Sequence, residues 1–213
     1  MKKRFVVIAS IFFVFISQSI SAQHIQEWTS DFNIRYGNYS DETIKICVLV
    51  DINGTDYQNA TYALATRFGG ELLPCSIQFY GQDELTQFYS NLKQIRNKYN
   101  EWLNIARQNG VKDLVKDIPI TTRQIELTLY DGNMNELKTL KTQLKGVFRA
   151  EFNSLSLIPS SSTRLGFDLL EGEAIPIFHV RSVADLDKIL NALNIEKIKA
   201  KLNSKVQKQN LFN

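Results

Sequence analysis

Apolar residues recur along the chain with two periods, and the switches between them mark the elements. Ile44, Ile46, Val48 and Val50 alternate with polar residues, which predicts a half-buried strand ending at Asn53-Gly54. From Asp83 the period changes. Leu85, Phe88, Leu92, Ile95, Tyr99, Trp102 and Ala106 step by 3, 4, 3, 4, 3 and 4, an apolar stripe down one face of a helix of about 27 residues. Asn109-Gly110 closes it, and at 1.5 Å per residue it spans roughly 40 Å. Ile125, Leu127 and Leu129 oppose Gln124, Glu126 and Thr128 on a further strand, which ends at the turn signal Asp131-Gly132-Asn133. Phe148, Ala150 and Phe152 alternate before a Pro159-Ser160-Ser161-Ser162 loop. A second, shorter helix is predicted near 183–193.

An internal echo organises these elements. Gly70-Glu71-Leu72-Leu73-Pro74 recurs as Gly172-Glu173-Ala174-Ile175-Pro176, and the helix positions that follow align after a one-residue gap. The echo also settles residues 57–68, which alone could read as helix. Their counterparts alternate, with Leu165, Phe167 and Leu169 opposite Arg164 and Asp168, so 61–68 is predicted as a strand with a turn at Gly69-Gly70. Hairpins are expected at 61–68/72–80 and 163–170/174–181. The expected fold class is therefore α+β: antiparallel sheet from two related βββα units, about 43–118 and 122–196, with helices packed mainly on one face. The long helix exceeds its twin around Tyr99 and Trp102, and Trp28 and Phe32 are candidates to pack there. Its stripe could alternatively form a dimer seam.

The first 22 residues stand apart. Met1-Lys2-Lys3-Arg4, an apolar run from Phe5 to Ile16, and Ser17 to Ala22 have the three-part form of a secretory signal peptide, with cleavage expected after Ala22. Twelve apolar residues fall short of the roughly 20 that cross a bilayer. The first cysteine is Cys47, so no acylated cysteine follows the leader. Export to the periplasm or beyond the cell is expected, as a single domain over 23–213 that does not span a membrane after cleavage. His24 then lies at the processed end and is expected to be mobile.

Removing the leader changes the charge. The precursor carries +3, but Lys2, Lys3 and Arg4 all leave with the leader, so the mature chain is neutral and offers no case for nucleic acid. Charge is uneven, however: residues 23–87 hold 3 basic and 9 acidic groups, while residues 88–213 hold 19 and 13. A Lys-rich C-terminal stretch, 197–213, carries Lys197, Lys199, Lys201, Lys205 and Lys208, with Ile195, Ile198, Leu202 and Val206 at helical spacing. It reads as a docked amphipathic helix with its lysines in water, or as a contact for an anionic envelope surface or acidic partner.

Candidate chemistry is sparse. Cys47 and Cys75 are a possible disulfide in an exported chain, worth about 3.5 kcal/mol in the loop-entropy model; two packed thiols are the alternative. His179, in the strand from Ile175 to Val180, reads as a packed or rim residue rather than a base. Histidine and cysteine are too few for a zinc site, and no metal or cofactor is expected. Asp131-Gly132-Asn133-Met134-Asn135-Glu136 has calcium-loop spacing at first, but Glu136 stands where Gly is needed and Thr142 where a bidentate Glu belongs, so a polar turn is the reading. Nucleophile-elbow and phosphate-loop patterns are absent, and no catalytic residue is assigned. The expected role is a non-catalytic binding module for a protein or cell-envelope component. The alternatives are a hydrolase of glycans or peptides using carboxylates such as Asp168 and Glu173, and a structural subunit assembling through its long helix, the oligomeric state being open.

Overall fold

The computed structural model describes residues 24–35, 43–52, 56–67, 75–131, 133, 135–160 and 178–210. The leader, the Gly69-Gly70 turn and most of the second predicted hairpin, including Asp168 and Glu173, lie outside these residues.

The described chain is α+β, with two antiparallel sheets and three helices packed against them. Ten strands run β1 (His24–Arg35), β2 (Thr43–Ile52), β3 (Thr61–Arg67), β4 (Cys75–Tyr80), β5 (Val115–Thr121), β6 (Ile125–Tyr130), β7 (Glu136–Thr142), β8 (Leu144–Arg149), β9 (Ser154–Pro159) and β10 (Phe178–Val180). Helix α1 (Gln82–Gln108) follows β4, while α2 (Val183–Leu193) and α3 (Ile195–Asn210) close the chain. The first sheet has the order β1-β2-β3-β4-β6-β7, the second β10-β9-β8-β5.

One long hairpin joins the sheets. β5 leads into β6 and β7 into β8, and the pairing Thr121↔Lys145 resumes as Ile125↔Thr142 beyond a corner. At that corner the Thr122 amide donates to the Leu144 carbonyl (2.8 Å), and the Leu144 amide donates to Thr122 Oγ1 (2.9 Å). The buried threonine hydroxyl replaces a backbone acceptor where the strands bend, so no amide is lost at the turn.

The core lies between the sheets, on α1. Leu85, Phe88, Leu92, Ile95, Tyr99, Leu103 and Ala106 of α1 are buried. They meet Val48, Val50, Tyr62, Leu64, Ile77 and Phe79 of the first sheet and Phe148, Leu155, Leu157, Phe178 and Val180 of the second. The helix thus uses its apolar stripe within its own chain. The stripe differs from expectation at one position: Leu103 is buried and Trp102 sits at the flank. There Trp102 meets Phe148 edge-on at 6.0 Å, with Lys116 Nζ 4.8 Å from its ring. Phe148 also lies 6.1 Å from Tyr99, so β8 supplies the surface that the long helix needs. Gly146 permits the approach, since a Cβ there would stand 3.1 Å from Ile95 Cγ2 and 2.9 Å from Leu155 Cδ1.

The helix ends follow local chemistry. Ser182 caps α2 by accepting the Asp185 amide at 3.0 Å. Asn109 and Gly110, the latter at φ +65°, end α1, and the Val111 amide donates to the Ala106 carbonyl. Gly81 starts α1 at φ +96°, ψ 160°, a region open essentially to glycine alone, and a Cβ would meet the Gln58 carbonyl oxygen at 2.9 Å. Gly81→Ala is expected to destabilise by about 2 kcal/mol, measured by urea unfolding; an unchanged midpoint would show that this junction relaxes freely.

Two expectations are corrected, and the strand register places the two cysteines. His24 is not a loose end but opens β1, opposite Ile52. The strand through Phe148, expected to continue through Phe152, stops at Arg149; the chain turns over Ala150–Asn153, with Asn153 at φ 49°, and returns as β9 up to Pro159. Cys47 and Cys75 are separated by β3: Cys47 pairs with Ala65, and Ala65 with Ser76. Cys75 is buried in the core.

Candidate functional site

Strands β8, β9 and β10 alternate, so Phe148, Leu155, Leu157, Phe178 and Val180 point into the core. The intervening residues share the other face. Arg149 stands opposite Ser154, and Ser156 opposite His179. Arg181 follows β10 directly. This face is screened from water and mixes polar with apolar residues: Ser154 is 0% exposed, Ser156 8% and His179 7%, beside the buried Val147, cross-strand to Ser156, and Ile158.

Ser156 Oγ and His179 Nδ1 share a hydrogen bond of 2.9 Å. Three further side-chain atoms here, Arg149 Nε, Ser154 Oγ and His179 Nε2, are buried without a hydrogen-bond partner among the described residues. Buried polar atoms are nearly always paired, so three open ones within a few residues of sheet set this face apart from the rest of the chain. Burial pushes the His179 imidazole down to about 4, and the positive charges of Arg181 and Arg149 push the same way. It is neutral at physiological pH.

That bears on whether the Ser156–His179 pair can act as nucleophile and base. A serine bonded to a histidine suggests a nucleophile with its base. A base works best with a pKa near the operating pH, and an imidazole at about 4 draws a hydroxyl proton weakly. The set comprises a neutral ring, two hydroxyls and the guanidinium groups of Arg149 on β8 and of Arg181 just after β10.

The other predicted features fall elsewhere. Asp131 takes part in a polar turn, its carboxylate accepting from the Asn133 and Asn135 amides at 2.9 and 2.7 Å and from Asn135 Nδ2 at 2.9 Å. These bonds hold its carboxyl below the usual range, so its oxygens already serve the β6–β7 turn. Helix α3 docks through Ile198 and Leu202, 1% and 3% exposed. Tyr57 donates to Asn203 Oδ1 at 2.7 Å, and Lys199 Nζ lies 5.6 Å from the Tyr57 ring. Lys197 donates to Asn191 and Lys199 pairs with Glu196, so part of the lysine row is tied to its own chain. No helix among the described residues is long and apolar enough to cross a membrane.

Sequence reading named His179 alone of this set. Arg149, Ser154, Ser156 and Arg181 were missed, although the signal was present. Ser154 and Ser156 alternate with Leu155 and Leu157, and His179 and Arg181 with Phe178 and Val180. Polar residues at every second position between core residues mark the second face of a strand. No protein-family model, curated protein or solved structure matches this chain.

Proposed function

We propose that this chain is an exported, non-catalytic binding module that recognises a protein or a cell-envelope component through the polar face of β8–β10. The observation that carries the reading is the group of buried polar atoms at Arg149, Ser154 and His179 that have no hydrogen-bond partner among the described residues. The leader-like start supports export to the periplasm or beyond the cell. The two-unit architecture belongs to the same reading. β2-β3-β4 and β8-β9-β10 are each antiparallel meanders in chain order, and each leads into a helix. The middle strand of the second meander, 154–159, lies ahead of the 163–170 segment that the echo aligns with β3.

The test compares the immobilised protein with its Arg149→Gln and Ser154→Ala variants for retention of a component from envelope extracts, identified by mass spectrometry. A component held by the parent and lost from both folded variants is expected. Retention indifferent to both substitutions removes the reading. A hydrolase acting through Asp168 and Glu173 remains the alternative, and turnover abolished by their substitution would replace the binding reading.

A further inference from the structure

We infer that the polar face of β8–β10 receives an oxyanion, a carboxylate or phosphate group of the bound partner, held by Arg149, Ser154 and the Nε2 edge of His179. The inference rests on the binding-module reading and specifies what the module recognises.

The Ser156–His179 bond sets the roles of the ring nitrogens. When the Ser156 hydroxyl donates to Nδ1, the single proton of the neutral ring sits on Nε2 and makes that atom a donor. Arg149 Nε always carries a proton, and the Ser154 hydroxyl can turn to donate. The three open atoms are then all donors, and their shared complement is an acceptor with several lone pairs. Register holds them together: Ser154 is cross-strand to Arg149, and Ser156, two residues along β9 and about 7 Å away, is cross-strand to His179. Charge selects an anion among acceptors. Two guanidinium groups lie close enough to His179 to disfavour its protonation. A cation would meet the same repulsion, and a neutral carbonyl would leave the Arg149 charge uncompensated in a region of low polarity. Charge-assisted bonds from guanidinium to carboxylate or phosphate are the strong class of hydrogen bond, and burial strengthens them.

The mature chain contains two histidines, which makes the test direct. Proton NMR of the full protein follows the ring resonances of His24 and His179 during titration with inorganic phosphate and, separately, with acetate. At least one anion is expected to shift the His179 signals saturably and to raise its titration midpoint by about one unit, because a nearby negative charge favours the imidazolium. His24 serves as the internal control. Arg149→Lys and Ser154→Ala should each weaken the effect about tenfold or more while leaving the rest of the spectrum folded. Preference for phosphate or for acetate distinguishes the two sources of the oxyanion. An unmoved His179, or a shift equal in parent and both variants, overturns the inference. If extract capture nevertheless depends on Arg149 and Ser154, the binding reading survives and only the anionic chemistry fails.

Discussion

Replacing Phe148 by alanine is expected to cost about 3–5 kcal/mol, the largest loss from any single truncation considered. Phe148 is fully buried on β8, between Tyr99 and Trp102 of the long helix. Gly146, one core-facing position earlier on the same strand, has already brought α1 close, so the surrounding atoms have little room to collapse into the space that the ring leaves. The loss combines transfer of the ring's apolar surface with the residual cavity and the two aromatic contacts, the latter worth about 0.5–1.5 kcal/mol each. Urea unfolding should show the shift with an unchanged slope, and thermal unfolding a fall of roughly 6–20 °C for a chain of this size. A loss below about 1.5 kcal/mol would mean that α1 does not seat on β8 as described, because a well-packed site cannot surrender a phenyl ring so cheaply.

That prediction could not have been made from sequence, and the reason lies in how the strands are buried. The long helix was legible because seven apolar positions at helical spacing have one explanation. Only its phase near the C-terminus slipped, from Leu103 to Trp102, where a strict 3–4 alternation drifts against 3.6 residues per turn. Strands β2 and β6 were legible because each carries a run of apolar residues at alternate positions facing the core, whereas β3, ambiguous alone, was read as a strand only through the internal echo. β5 and β7 were not. Both are edge strands, mostly exposed, and their sequences, Val115–Thr121 with Pro119 and Glu136–Thr142 with Lys138 and Lys141, carry the proline and lysine that keep an edge from pairing further. Such strands are held by their neighbour's backbone and leave little hydrophobic pattern. β1 was missed although Trp28, Phe32 and Ile34 alternate with Thr29, Asp31, Asn33 and Arg35: Gln26 and Ser30 break the apolar set, and pairing with β2 completes the strand.

The candidate site was hidden by one boundary. Reading β8 through Phe152 left Ser154 and Ser156 unassigned, ahead of the loop expected from Pro159. The chain instead turns at Asn153, and the same serines enter β9 with their hydroxyls on the face opposite Leu155 and Leu157. That turn makes both of them buried strand residues, with Ser156 beside His179. Strand register, which the sequence does not state, made the cluster.

The second large effect is acid destabilisation centred on that histidine. An unfolded histidine titrates near 6.5, whereas His179 in the fold is pushed down to about 4, first by burial and then by Arg181 and Arg149. Above about pH 6.5 the ring is neutral in both states and contributes nothing to pH dependence. As pH falls from 6.5 towards 4, the unfolded chain takes up a proton that the folded chain refuses, and stability drops; below about 4 both states are protonated and the loss levels off. The separation corresponds to about 3 kcal/mol. The measurement is the urea midpoint of the parent and of His179→Gln across pH 4–7.5. Contributions shared by the two proteins, such as the Asp131 carboxyl held below its usual range, cancel in the difference. The parent should lose about 3 kcal/mol more than the variant across this window. Parallel curves would mean that His179 is solvated or charge-compensated in the fold. The same curves probe the anionic ligand. A bound oxyanion raises the folded-state value towards the unfolded one, so the slope of the parent should flatten in phosphate or acetate while that of the variant does not.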